Sequence, residues 1–162
     1  MAVQIKSRTG RVLIQDRVIG PDGKEIKKKK IKKIGNLGKL IIFRTSDKKI
    51  LTFTGFTQKV SGKWQEHARI GKKPVQEFVA PELREVNFTI EISAMHGYKP
   101  RKILENIEKA VEKGQANKLV IGGKMVGKNY WIIKNVTETW DEIYSRGELV
   151  SAKAKITLKE YL

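Results

Sequence analysis

Two long segments of the chain alternate between apolar and polar residues. Every second side chain is apolar in residues 85–94, and residues 150–159 repeat the pattern. A period of two places one set of side chains on each face of a β-strand. We therefore predict two long antiparallel strands, each with one buried face and one wet face.

Shorter β-branched and aromatic runs predict further strands, and the segments between them are rich in turn-forming residues. The predicted short strands are 40–43, 50–54, 60–68, 119–121 and 130–136. Loops are predicted at 71–74, where Gly, Lys and Pro follow one another, and after 136. A hairpin turn is predicted around the glycines of 122–127.

One segment has a helical period instead. Pro100 suits the first turn of a helix, and Gly114 supplies a stop. The apolar residues between them form one stripe: Ile103, Leu104, Ile107, Ala110 and Val111. The predicted fold class is α+β, a mainly antiparallel β-sandwich or open barrel with one flanking α-helix.

Positive charge is concentrated at the start of the chain. The 162 residues contain 34 Lys and Arg against 17 Asp and Glu, a net charge of +17, and residues 1–50 alone contribute +11. We predict that residues 1–33 form a basic N-terminal extension, a hairpin or mobile arm, and that residues 34–162 form the main domain. The lysines of the basic arm are Lys24, Lys27, Lys28, Lys29, Lys30, Lys32 and Lys33.

Such a charge attracts a polyanion, an anionic membrane or an acidic protein, and a lysine-covered solvated face is the plain alternative. A basic nucleic-acid-binding β-barrel is therefore one functional hypothesis. Residues 1–42 contain no Phe, Tyr or Trp, so no base-stacking platform accompanies the charge. This composition weakens the nucleic-acid hypothesis.

Composition also argues against several other classes of protein. The chain has no cysteine, and its only histidines are His67 and His96. Disulfides and Cys-ligated metals are thereby excluded, and no metal site is expected. No apolar run is long enough for a transmembrane helix, and the first residues lack a signal-peptide pattern. We expect synthesis and folding in a cytoplasm.

No motif predicts catalysis. The glycines of 122–127 lack the spacing and the Ser or Thr of a phosphate-binding loop. Glu138, Asp141 and Glu142 are expected in a loop, where a solvated, partner-facing surface is favoured over acid–base chemistry. His67 is favoured as a packing or interface residue. We therefore expect no enzyme activity, no catalytic residue and no cofactor.

The order of these signals resembles that of the phage tail protein U (GpU) family of contractile-tailed phages. The resemblance covers about residues 34–162 and leaves residues 1–33 outside. It is carried by the segments 34–38, 64–69, 71–78, 81–83, 96–100, 119–122, 131–136 and 158–161.

The resemblance implies a structural component of a contractile phage tail or of a phage-tail-like bacteriocin. Members look like tail-tube subunits, whose β-sandwich joins with further copies into a ring. We expect a ring, as a hexamer, that connects the tail tube to the baseplate hub. The implied partners are other copies of the chain, the tail tube, the baseplate hub and other tail proteins, with passing contact to a tape-measure protein or DNA in the lumen. Membrane association is not implied, and assembly is expected in the bacterial host cytoplasm, with the product in the virion tail and baseplate.

One segment has the composition of an interface. Rigid aromatic residues and Arg are enriched at contacts between proteins. The interface hypothesis covers a structured loop, with Trp140 added from the acidic segment: Trp64, His67, Arg69, Pro74, Gln76, Phe78 and Trp140. The alternative places Trp64 and Phe78 in the core. Polar residues of the long strands, such as Thr89, Lys153 and Lys155, are expected to face the channel of the ring.

Overall fold

The computed structural model describes residues 5–6, 12–14, 17–19, 25–26, 32–46 and 49–162. Contacts divide the chain into two units, residues 1–31 and residues 32–162. The first unit contains a four-stranded antiparallel sheet in the order β1-β2-β3-β4. Its strands are β1 (Ile5–Lys6), β2 (Val12–Ile14), β3 (Arg17–Ile19) and β4 (Glu25–Ile26).

The second unit contains two five-stranded sheets and a separate hairpin. Its strands are β5 (Lys32–Leu37), β6 (Ile41–Thr45), β7 (Ile50–Leu51), β8 (Phe53–Lys59), β9 (Gly62–Arg69), β10 (Lys72–Pro81), β11 (Glu85–Ser93), β12 (Ala116–Asn117), β13 (Leu119–Ile121), β14 (Lys124–Met125), β15 (Tyr130–Tyr144) and β16 (Glu148–Tyr161). The large sheet has the order β12-β15-β16-β11-β8, and the second sheet has the order β14-β13-β5-β6-β7. Within the described residues, strands β9 and β10 pair only with each other.

The two long strands predicted from alternation are confirmed at the centre of the large sheet. β11 and β16 are antiparallel neighbours from the Glu85–Lys159 pair to the Ser93–Ser151 pair. The apolar positions of both strands are buried: Val86, Phe88, Ile90, Ile92, Val150, Ala152, Ala154, Ile156 and Leu158. β11 stops before Ala94, which lies in an exposed 3-10 turn.

The predicted helix is also confirmed, as α1 (Pro100–Glu112). Its apolar stripe packs on β15 and β16, and Leu104 and Ile107 are at most 1% exposed. Gly114 adopts a left-handed conformation, and the N–H of Gln115 donates to the carbonyl of Ala110. This arrangement satisfies the last carbonyls of a helix and ends it.

Aromatic residues join the second sheet to the large one. The Phe43 ring lies 4.9 Å from the Phe53 ring and 5.8 Å from the Phe88 ring, in edge-to-face geometry in both cases. These pairs belong to one core cluster that draws on both sheets and α1. The predicted fold class, an α+β open barrel with one flanking helix, is thus confirmed in the described part of the chain.

Two predicted loops are strands. Lys72–Pro74 belong to β10, and the turn before it is limited to Ile70 and Gly71. The register slips between Lys72 and Val75, and a bulge of this kind accommodates a proline that cannot donate to the ladder.

The acidic segment was likewise wrongly predicted as a loop. Glu138, Asp141 and Glu142 lie in β15, which continues to Tyr144 while it pairs with β16. Charged side chains are tolerated there because this end of β15 is exposed. The hairpin turn at Gly122 and Gly123 is confirmed, and both residues have positive φ, as a two-residue turn of type I′ requires.

Among the described residues, no helix has the length and apolar character needed to cross a membrane.

Candidate assembly surfaces

The hairpin β9–β10 is the most exposed element of the second unit. Its strands have 8 and 10 residues, and side chains from Lys63 to Val79 are exposed on both faces. At about 3.4 Å per residue, ten residues extend about 34 Å. The backbone is anchored at the base, where the N–H of Glu82 donates to the carbonyl of Ser61 over 3.0 Å. Isolated two-stranded hairpins are marginally stable in water, and this hairpin presents both of its faces to solvent.

Cross-strand side-chain contacts order the middle of the hairpin. Trp64 lies directly opposite Phe78, and their rings meet edge to face with centroids 5.2 Å apart. His67 Nε2 lies 2.8 Å from Glu77 Oε2. Trp64 and Phe78 nevertheless remain 58% and 51% exposed. The alternative that placed these two residues in the core is therefore wrong.

The tip of the hairpin carries three cations. Arg69 lies directly opposite Lys72, and Lys73 follows in the bulge. Within the described residues, none of these three side chains forms a salt bridge. Like charges that face each other across a strand pair repel, so the tip is destabilised by its own sequence.

The polar face of the large sheet forms a groove of about 550 Å³ that crosses four strands. Thr157 Oγ1 donates to Asn87 Oδ1 over 2.7 Å, and Lys155 projects beside them. The groove is lined by Gly55, Thr57, Asn87, Phe88, Thr89, Asn135, Thr137, Lys155 and Thr157. The sheet is therefore curved, with polar side chains on its concave side.

One ion-pair cluster lies further along the same polar face. Lys153 Nζ is 3.8 Å from Glu91 Oε1 on β11 and 3.8 Å from Asp141 Oδ2 on β15. Exposed pairs of this length each contribute about 0–1 kcal/mol. They fix side-chain directions across three strands more than they stabilise the fold.

Both edges of the large sheet are free in the described part of the chain. β8 pairs only with β11. On the other side, β12 covers β15 only at Trp131 and Ile132, so residues 134–144 pair with β16 alone among the described strands. Free strand edges present unpaired N–H and C=O groups, which another chain can complete.

Carboxylates gather where α1 meets β15, and we call Glu105, Glu108, Glu112 and Glu138 the acidic surface. The Glu138 charge beside it raises the pKa of Glu108 above its ordinary value, and lost hydration and the charges of Glu105 and Glu112 add to this. Glu138 Oε1 is buried without a hydrogen-bond partner among the described residues. Glu138 Oε2 accepts a hydrogen bond from Trp140 Nε1 over 3.2 Å. The acidic surface, like the hairpin tip, repels itself.

The structure brings most of the hypothetical interface residues together on one element. Those on the hairpin are Trp64, His67, Arg69, Pro74, Gln76 and Phe78, and they lie in paired strands rather than in the predicted loop. Trp140 lies apart in β15, where the Arg101 guanidinium is 5.8 Å from its ring centroid. Trp140 therefore belongs with the acidic surface.

Two lysines of the basic arm lie among the described residues. Lys32 and Lys33 lie in β5, so the assignment of these two lysines to an arm is wrong. Strand pairing with β6 explains the difference, because Lys32 and Lys33 stand opposite Thr45 and Arg44. The remaining lysines of the arm lie outside the described residues: Lys24, Lys27, Lys28, Lys29 and Lys30.

Residues 42–162, three quarters of the chain, match the family model described as Phage P2 GpU. The chain belongs to the Phage P2 GpU family. The resemblance drawn from the order of sequence signals is thus confirmed. The chain is a phage tail structural protein, located in the virion tail and in contact with other tail proteins. No curated protein matched the chain.

The match begins within β6 of this GpU-family protein and continues to its last residue. It includes the hairpin, both free edges of the large sheet and the acidic surface. In the described residues, no three metal-ligating side chains cluster. The hairpin, the free sheet edges and the acidic surface are candidate surfaces for contacts with other tail proteins.

Sequence reasoning missed the residues that the fold brings together from distant segments. Glu108 and Glu138 are 30 positions apart, and only the packing of α1 on β15 makes them neighbours. The groove was partly foreseen, because Thr89 and Lys155 were expected on a polar face. Asn135 and Thr137 were missed because a bulge after Ile133 shifts the alternation of β15 by one residue.

Proposed function

We propose that this GpU-family protein is a ring-forming connector between the tail tube and the baseplate hub. It acts by assembly with copies of itself and with other tail proteins, and catalyses no reaction. The supporting observation is the curved large sheet, which combines a polar concave face with two free edges.

A curved sheet with free edges suits a ring whose lumen is lined by strands. If β8 of one copy pairs with residues 134–144 of β15 in the next, the sheets form one continuous barrel. The two edges are different surfaces, so each contact leaves one of each kind free for the next copy. A head-to-tail contact of this kind closes into a ring when the rotation from one copy to the next is a whole fraction of a full turn. We propose a ring of six copies.

In this ring the groove faces the lumen. Threonine and asparagine side chains and Lys155 give the channel a hydrated wall. Among the described residues, this wall has no specific binding site. Such a wall suits the passage of a tape-measure protein or DNA. The hairpin β9–β10 projects from the base at Ser61 and Glu82, and we propose that it contacts a neighbouring subunit or ring.

Cysteine cross-linking tests the proposed edges. The chain has no cysteine, so Gln58→Cys on β8 and Thr139→Cys on β15 in one chain provide the only thiols. A short bis-maleimide should link copies into a ladder that ends at six. The control pairs Gln58→Cys with Lys124→Cys on the second sheet, and it should give no ladder. Equal cross-linking of test and control would contradict ring closure through these edges.

The position in the particle needs its own experiment. Antibodies against the protein, applied to purified tails, should label the junction of tube and baseplate in electron micrographs. Label spread along the tube, or confined to the opposite end, would contradict the connector role. That result would not bear on ring closure, which the cross-linking experiment tests separately.

A further inference from the structure

We propose that the cationic tip of the hairpin β9–β10 docks on the acidic surface of a second copy of this chain. The tip is formed by Arg69, Lys72 and Lys73, and the acidic surface is the one defined above on α1 and β15. This inference rests on the proposed self-assembly and specifies a contact beyond the sheet edges.

The tip is poorly satisfied within its own chain. The carboxylates of the hairpin are engaged lower down, where Glu77 approaches His67 at 2.8 Å and Glu66 Oε2 accepts a bond from Gln76 over 3.0 Å. The tip itself is left with three positive charges and with Ile70, which is fully exposed. An anionic partner would relieve the repulsion between Arg69 and Lys72.

The acidic surface has the opposite imbalance. Among the described residues, its one salt bridge is the 3.6 Å pair between Arg101 and Glu105, and both side chains of that pair are at least half exposed. Glu108 and Glu138 lie close enough for the Glu138 charge to raise the pKa of Glu108, and Glu138 Oε1 has no hydrogen-bond partner among the described residues. In a chain whose net charge is +17, a surface of four carboxylates offers a place for a cationic side chain.

Each surface is therefore repulsive alone and complementary to the other. Both belong to the same chain, so every copy offers one tip and one acidic surface. Such a contact between unlike surfaces propagates from copy to copy, as a ring requires. Arginine and lysine side chains also reach well beyond the backbone, which suits contact between a projecting hairpin and a flat helix face.

A charge-swap experiment tests the docking. The tip variant carries Arg69→Glu and Lys72→Glu, and the surface variant carries Glu108→Lys and Glu112→Lys. All four side chains are exposed, so the fold should be retained, and circular dichroism checks this. A matched control carries Lys124→Glu and Lys128→Glu, which changes the net charge as much as the tip variant does.

Self-association is measured by sedimentation velocity at about 50 mM and 500 mM salt, since screening weakens exposed charge contacts. We expect each variant alone to associate roughly tenfold more weakly than the parent at low salt, whereas the control matches the parent. A one-to-one mixture should recover association, because the reversed tip of one variant meets the reversed surface of the other. The neutral pairs R69Q/K72Q and E108Q/E112Q provide a milder version of the same comparison.

A mixture that associates no better than its components would overturn the inference. So would a tip variant that is indistinguishable from the matched control. Electron microscopy of the same samples separates this inference from the proposed function. Rings that persist unchanged in the tip variant would reject the docking and leave the ring standing, whereas a mixture that associates without forming rings, even with the tail-tube and hub proteins present, would support the docking and contradict the ring. A parent that stays monomeric at low salt would reject the docking as well.

Discussion

Replacing Phe78 by alanine separates a role in assembly from a role in the fold. Phe78 is 51% exposed, and its main aromatic contact is Trp64 of the same hairpin. Phe88, the matched control, is 2% exposed and packs against Phe43 and Phe53. The two substitutions remove the same atoms from very different surroundings.

The magnitudes follow from the burial of each ring. About half of the Phe78 side chain, roughly 100 Å², is covered, which gives an upper limit of about 2.5 kcal/mol at about 25 cal/mol per Å². Because that cover comes from the hairpin itself, we expect Phe78→Ala to lower the free energy of unfolding by about 1 kcal/mol. Phe88→Ala empties a core position and should cost about 3–5 kcal/mol.

Urea denaturation followed by circular dichroism measures the free energy of unfolding, and sedimentation velocity measures assembly. If Phe78 is an interface anchor, Phe78→Ala should weaken assembly by about 2 kcal/mol, roughly thirtyfold, while the free energy of unfolding falls by only about 1 kcal/mol. A loss of stability as large as that of Phe88→Ala would refute the reasoning on burial. Unaltered assembly with a retained fold would refute the interface role.

Three further substitutions test other parts of the structure. Glu108→Gln should raise the melting temperature at pH 7 and reduce the stability gained on acidification. The Glu138 charge raises the pKa of Glu108 in the folded state, so ionised Glu108 destabilises the fold above that pKa, and the penalty disappears as the pH falls below the pKa of Glu108 in the unfolded chain. An unchanged pH profile of the melting temperature would argue against this repulsion. Gly35→Ala should destabilise the second unit by about 2 kcal/mol or more, because the added Cβ would meet the backbone carbonyl of Val120, and near-normal urea denaturation would contradict that close packing. Replacing residues 27–30 by serine should weaken low-salt assembly with tail proteins, while the parent shows no DNA binding in an anisotropy titration at physiological salt; submicromolar DNA binding that is lost with these lysines would support the nucleic-acid alternative instead.

The sequence predicted those elements whose side chains divide between core and solvent. Residues 85–93 and 150–159 alternate because one face of the large sheet is buried under α1 and the second sheet. The helix stripe around Leu104 and Ile107 has the same cause. In each case burial imposes a period on the sequence, and that period can be recognised without a structure.

The surfaces for assembly are harder to predict from the sequence, because they lack the buried face that imposes a period. β10 has no buried face, so residues 72–74 carry no alternation and were predicted as a loop. The charged end of β15, from Glu138 to Glu142, lacks a buried face as well. Contacts such as that between Glu108 and Glu138 depend on packing between distant segments, which no local pattern records.

Negative-stain electron microscopy of the purified protein, alone and with the tail-tube and hub proteins, tests the central claim most directly. The account predicts closed rings of uniform size, six copies around a stain-filled central hole, on at least the assembled template. Single particles or open chains of irregular length under all of these conditions would contradict the claim that the protein is a ring-forming connector.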